Sequence, residues 1–173
     1  SDKMVNNKFN FNEFILNRGI EFEAAVILNL EKRFNTSVVK IANIYEGYSI
    51  EKYKQTISEM KKGTPIILSG ILHNYKNNTY GIPDIIIRSD FINKLTEENV
   101  LNDQEEKKGC LFSESWHYCI IDVKFTTLNF YAKSNTLKSN GNMKAYKSQV
   151  IIYNTALGLI QKYEPEKCFI LGR

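Results

Sequence analysis

The hydrophobic patterning predicts an α/β fold, a mixed sheet flanked by helices, and three observations carry that expectation. Apolar residues recur at helical spacing in two long stretches, Phe11 to Phe34 and Lys144 to Tyr163. Between them lie short runs of β-branched residues, Ile85-Ile86-Ile87 and Ile120-Ile121, which suit strands buried on both faces. The order of helix, strands, helix, strand then places a central sheet between helical layers.

Each element can be justified in turn. In the first stretch Phe11, Phe14, Ile15, Phe22, Val26 and Leu30 mark an amphipathic helix, with Asn12 as a candidate cap and Asn35 as its end. Gly19 is a poor mid-helix residue, costing about 1 kcal/mol, and implies close packing at that point. Thr36 to Ile41 reads as a short strand, and Ser49 to Lys62 as a more polar helix ending at Gly63. Thr64 to His73 and Tyr80 to Ser89 read as two strands joined by the turn-rich Asn74-Tyr75-Lys76-Asn77-Asn78. Residues 91–115 form a polar insertion, partly helical or mobile. Trp116 to Thr127 is a further strand and Tyr131 to Met143 a loop. Lys144 to Tyr163 presents Tyr146, Val150, Tyr153, Leu157 and Ile160 on one helical face. Pro165 breaks it before a last strand, Lys167 to Leu171.

Size and composition narrow the classes. The 173 residues suit a single domain, and 43% hydrophobic with 24% charged residues is ordinary for a globular chain. No apolar run reaches the roughly 18 residues of a membrane helix, so no membrane partner is expected. The N-terminus lacks the apolar core of a signal peptide. Cys110, Cys119 and Cys168 are widely spaced, which suggests neither a disulfide framework nor a zinc site and implies a reducing, intracellular compartment: cytoplasm, nucleus or nucleoid, with a viral origin open. Because Met4 is not first and the chain stops just after its last strand, a domain cut from a longer protein is among the expectations.

Charge is distributed unevenly. Residues 123–163 contain no Asp or Glu but carry Lys124, Lys133, Lys138, Lys144, Lys147 and Lys162, whereas the insertion holds Glu97, Glu98, Asp103, Glu105 and Glu106. One end of the domain is therefore expected to suit phosphates, and the acidic loop to face solvent or repel DNA.

Two acids interrupt the buried runs. Asp84 follows Gly81-Ile82-Pro83, and Asp122 sits in Ile120-Ile121-Asp122-Val123-Lys124. Period-two alternation sets Asp122 and Lys124 side by side on one strand face. An unpaired carboxylate in such a place is costly. Plainer readings exist for each residue alone: Asp84 as a turn cap, Asp122 and Lys124 as an ion pair on an edge strand, Glu23 as a solvated helix residue, Tyr153 as core. His73 and His117 lack ligand spacing and read as structural.

Taken together, Gly19-x-x-x-Glu23, Gly81-Ile82-Pro83-Asp84, Asp122-Val123-Lys124 and Gln149-Val150-Ile151-Ile152-Tyr153 resemble the PD-(D/E)xK nuclease superfamily, most closely its RecB-type and lambda-exonuclease-like branch. The resemblance covers residues 19–153. It implies a restriction-endonuclease-like core and a Mg²⁺- or Mn²⁺-dependent nuclease acting on DNA, as an exonuclease or end-processing enzyme in replication, repair or recombination. Glu23, Asp84 and Asp122 would ligate the metal with the Val123 carbonyl, and Lys124 would orient or deprotonate the attacking water. Gln149 and Tyr153 would hold the nucleic acid, with Lys144 and Lys147 at the same helix on its phosphates. No iron–sulfur cluster is expected, because many RecB-type nucleases carry four cysteines for one and this chain has three, differently placed. A fused or associated helicase- or polymerase-type domain is a further expected partner. The alternatives are an RNA endonuclease of the same fold and a non-catalytic nucleic-acid-binding module.

Overall fold

The computed structural model describes residues 11–43, 46, 49–132 and 136–173. Among these residues seven strands and five α-helices follow one another as α1 (Phe11–Phe34), β1 (Val38–Lys40), α2 (Ile50–Lys62), β2 (Ile66–Leu68), β3 (Leu72–Asn74), β4 (Thr79–Gly81), β5 (Ile85–Arg88), α3 (Ser89–Ile92), α4 (Asp103–Glu106), β6 (Tyr118–Val123), α5 (Met143–Gln161) and β7 (Phe169–Leu171). Five strands form one mixed sheet in the order β1-β2-β5-β6-β7, parallel at both outer pairs and antiparallel at the two inner ones. The expected α/β class, a mixed sheet flanked by helices, holds.

Alternation along the strands builds two cores. Ile67, Ile86, Tyr118 and Ile120 face Met60 of α2 and Leu157 of α5. Ile66, Leu68, Ile85, Ile87, Cys119, Ile121 and Val123 face Leu30 of α1 together with Ile92 and Leu101 of the insertion. Burying each Ile or Leu contributes about 1.5–3 kcal/mol, so these short strands are held chiefly by their two apolar faces. Among the described residues no helix is long and apolar enough to cross a membrane.

Helix α2 follows its sequence signals closely. Ser49 caps it, accepting from the Lys52 N–H at 3.2 Å, and Gly63 closes it in the left-handed region at φ 75°. Helix α1 departs from expectation. Among the described residues only its second half is covered, Phe14, Ile15, Leu16 and Ile20 are exposed, and none lies within 4 Å of where a Gly19 side chain would start. A helix of 24 residues is about 36 Å long, whereas the longest strand beneath it has six residues and spans about 20 Å, so α1 overhangs the sheet.

The two strands expected across residues 64–73 and 80–89 each divide in two. Ser69 takes φ 50°, donates its N–H to the Asp84 carbonyl at 2.9 Å and turns the chain out of the sheet after β2. Ile82-Pro83-Asp84 makes the matching break between β4 and β5. The outer halves, β3 and β4, pair as a separate two-stranded sheet whose His73 and Tyr80 rings stack at 4.1 Å. The inner halves join the main sheet.

The insertion is folded by hydrogen bonds. Asn93 accepts from the Val100 and Leu101 N–H groups, and Asn102 with Glu105 forms a reciprocal capping box on α4. Ser89 donates to the Glu106 carbonyl and accepts from the His117 N–H, which ties the acidic segment to the start of β6.

Candidate active site at the end of strand β6

Asp122 lies at the other end of β6, about 16 Å along the strand from His117. Strand β6 runs between β5 and β7, so Asp122 is not on an edge; its side chain is only 1% exposed. The Lys124 ammonium reaches its Oδ2 at 2.7 Å, as alternation predicts for residues two apart. That ammonium is the one close partner of the buried Asp122 Oδ2 among the described residues.

Asp84 arrives from the neighbouring strand. Its main-chain carbonyl is pinned by Ser69, and its Oδ2 accepts the Val123 N–H at 2.6 Å. It is thus a cross-strand acceptor and not a local turn cap. The register explains the proline before it. Ile85 pairs with Ile121, so continuing the antiparallel ladder sets Pro83 opposite Val123. Proline has no N–H to offer, which leaves the Val123 carbonyl without a ladder donor on the side where Asp84 stands.

The electrostatics of this point are under-compensated. Burial pushes the Asp84 carboxyl up to about 7, and Asp122 and then Glu23 add to the rise, outweighing the Val123 hydrogen bond and Lys124. Burial also opposes the Lys124 charge, but Asp122 and Asp84 outweigh it and hold the ammonium above the ordinary lysine value. Glu23 belongs to the same charge environment, and its neighbour Phe22 packs on Phe125 at 5.8 Å, fastening α1 beside the end of β6. Even so, among the described residues no group of three or more His, Cys, Asp or Glu side chains gathers as a metal cage. Glu23 therefore stands behind the Asp84–Asp122 pair without closing a three-carboxylate cluster around it.

Helix α5 supplies the opposite wall. Gln149 donates to the Tyr153 hydroxyl at 2.7 Å, and burial raises that hydroxyl above its ordinary value, with Asp122 and Asp84 contributing. The Tyr153 ring lies so close to β4 that a side chain at Gly81 would begin 2.3 Å from it. The Gly-Ile-Pro-Asp run thus does three jobs: a glycine admits Tyr153, a proline releases a carbonyl and an aspartate enters the site.

Of the nine residues singled out from sequence, seven converge here: Glu23, Asp84, Asp122, Val123, Lys124, Gln149 and Tyr153. The lysines at the start of α5 differ. Lys144 is exposed, whereas Lys147 donates to the Leu137 carbonyl at 2.5 Å and to Ser139 at 2.8 Å, so it fastens the preceding loop. Tyr146 was legible only as a member of the apolar face, yet its ring lies 5.5 Å from the Lys124 ammonium. Its spacing of three and seven from Gln149 and Tyr153 was the signal that places it on their side of α5.

The arrangement can hold hard cations and polarise a water. It presents carboxylate and carbonyl oxygens with unsatisfied lone pairs, beside one ammonium. No family model, no characterised protein and no solved structure matches the chain, so the reading of this site rests on its own residues.

Proposed function

We propose that the chain is a metal-dependent nuclease that hydrolyses phosphodiester bonds of DNA, with a restriction-endonuclease-like core and an end-processing mode of action. One observation carries the reading. Two carboxylates, Asp84 just before β5 and Asp122 on β6, share one charge environment in which Asp84 is pushed up to about 7 and the buried Oδ2 of Asp122 has the Lys124 ammonium as its one close partner among the described residues. One ammonium faces both carboxylates there, and Glu23 adds further negative charge.

The donor set fits Mg²⁺ or Mn²⁺. Such ions take oxygen ligands, keep several waters and need only one or two carboxylates, so the absence of a three-acid cage is compatible with them. Asp84, Asp122 and the Val123 carbonyl would hold the ion, with Glu23 reaching it through water. When bound, it supplies an activated water and stabilises charge on the phosphate.

The remaining work falls to side chains of the chain. Lys124 stands one residue pair from Asp122 on the same strand face, where its ammonium offsets phosphate charge and orients the attacking water. A cation held at Asp122 would take up part of its charge and weaken the attraction that keeps Lys124 protonated. The Val123 N–H holds the Asp84 carboxylate in place. Tyr153, fixed by Gln149 and seated on Gly81, closes the side of the site where a strand would lie.

The test is incubation with end-labelled linear DNA, covalently closed circular DNA and matched RNA in Mg²⁺, Mn²⁺ or EDTA. Metal-dependent loss of linear DNA with circles spared is expected. Nicked circles would shift the mode to endonucleolytic, and RNA-only cleavage would replace the substrate. Binding without cleavage in any metal would leave a nucleic-acid-binding module.

A further inference from the structure

Beside the Lys124 end of the site lies a polar cleft of about 260 Å³ that the chemistry above leaves unused. We propose that it receives a phosphate-bearing nucleotide of the strand, next to the bond being cleaved; the inference rests on the nuclease reading and names the contact that holds the substrate. Thr126, Thr127, Asn129, Lys138, Asn142 and Tyr146 line it.

Three features point to an anionic ligand. Beside Tyr146, Met143 and Gly141, the lining residues offer hydroxyl, amide and ammonium donors, and no Asp or Glu is among those that line the cleft. Those donors are also unspent, since Thr126, Thr127, Asn129 and Asn142 make no side-chain hydrogen bond within the described residues. Lys138 pairs with no carboxylate there; its ammonium rests 5.7 Å from the Tyr131 ring. At about 30 Å³ per water, the volume has room for a phosphate together with part of its sugar.

Position decides which anion this is. Tyr146 belongs to both places: it lines the cleft, and its ring lies 5.5 Å from the Lys124 ammonium. Thr126 is two residues beyond Lys124 and is held by main-chain bonds on both sides, to the Lys124 carbonyl at 2.7 Å and from the Arg173 N–H at 3.1 Å. The far wall is fixed by Lys147 through Leu137 and Ser139. The cleft is thus a built pocket adjoining the candidate site. A strand whose scissile phosphate lay at Asp122 and Lys124 would carry its neighbouring phosphate past Tyr146 to Lys138.

The experiment uses metal-free protein in EDTA, with thymidine 5′-monophosphate, thymidine 3′-monophosphate, inorganic phosphate and thymidine as probes. Binding is followed by calorimetry and by backbone amide shifts. The expected result is that a monophosphate binds and moves the amides of Thr126, Lys138 and Tyr146, while thymidine does not; the two isomers report which side of the sugar carries the phosphate. Lys138→Ala should weaken monophosphate binding about tenfold or more, as loss of a charged hydrogen bond implies, and Lys138→Arg should restore it. Thr126→Val gives a second, uncharged disruption. Unchanged affinity in both Lys138→Ala and Thr126→Val, or shifts confined to other surfaces, would overturn the proposal. DNA cleavage by a protein that binds no monophosphate would overturn the cleft and leave the nuclease. Monophosphate binding at Lys138 in a protein that cleaves nothing would uphold the cleft and sink the nuclease reading.

Discussion

The two ends of β6 bury polar groups in opposite ways. At its start, His117 donates Nδ1–H to the Lys108 carbonyl at 2.8 Å and its main-chain N–H to Ser89. Next to it, Gln161 binds the N–H and the carbonyl of Tyr118 and also the Tyr163 carbonyl. Each of these groups finds a neutral partner, and burial holds His117 below its ordinary value, uncharged. At the other end two carboxylates share one ammonium, which is the one close partner of the buried Asp122 Oδ2 among the described residues. Burial by itself therefore says little about function. What separates the ends is whether the buried groups satisfy one another.

The sharpest way to break the comparison is to remove a member of each end. At the unsatisfied end, Asp84→Ala or Asp122→Ala should lower cleavage by about 10³-fold or more, because several kcal/mol of charge stabilisation is lost. Circular dichroism should show the fold retained. Lys124→Ala should cost about 10²-fold or more in kcat, in the range of a positioned proton-transfer group. Near-normal rates in any of the three would remove this end from the chemistry.

At the satisfied end the expectation reverses. Gln161→Leu strands three main-chain groups and should cost about 3 kcal/mol of stability, read as a shifted denaturation midpoint, with kcat near that of the parent at a temperature where both are folded. Gly81→Ala tests the wall between the hairpin and α5. A methyl 2.3 Å from the Tyr153 ring must displace it, so a cost of about 1–3 kcal/mol and a raised KM are expected. A neutral result in both assays would mean that Tyr153 yields freely and does not shape the site.

The same contrast explains what could be read beforehand. The β-branched runs, the Ser49 and Gly63 caps of α2 and the alternation of Asp122 with Lys124 are local signals, and local rules determine them. The division of the two long strands was missed because the apolar runs on either side outweighed its signals: the pivot is Ser69 at φ 50°, followed by Gly70, and Pro83 marks the matching break. Gly19 misled for the opposite reason: a glycine in mid-helix suggests a close neighbour, and this one sits on the overhanging part of α1. Lys147 could be counted as a charge, but only the folded loop shows that its ammonium is spent on Leu137 and Ser139. The acidic insertion was legible as charge and not as place; it is tied to the start of β6, away from Asp122.

The smallest expected effect is also the one that bears most directly on the missing positive charge. Asp84 titrates at about 7 in the fold against 3.8 ordinarily, so between those values the folded state binds more protons than the unfolded one. Stability of the metal-free protein should therefore fall as pH rises from about 4 to about 7, the reverse of a salt-bridged carboxylate. Burial drives this rise, Asp122 and then Glu23 add to it, and the Val123 hydrogen bond and Lys124 only partly offset it. A divalent cation bound at Asp84 has to displace that proton at pH 5.5 but not at pH 8. Thermal melts with and without Mg²⁺ should then show a rise in Tm of a few degrees at pH 8 and less at pH 5.5. Asp84→Asn removes the titrating group and should flatten both the pH slope and the metal response. Equal Mg²⁺ shifts at the two pH values would mean that the cation binds away from Asp84, and the unsatisfied end of β6 would lose its explanation.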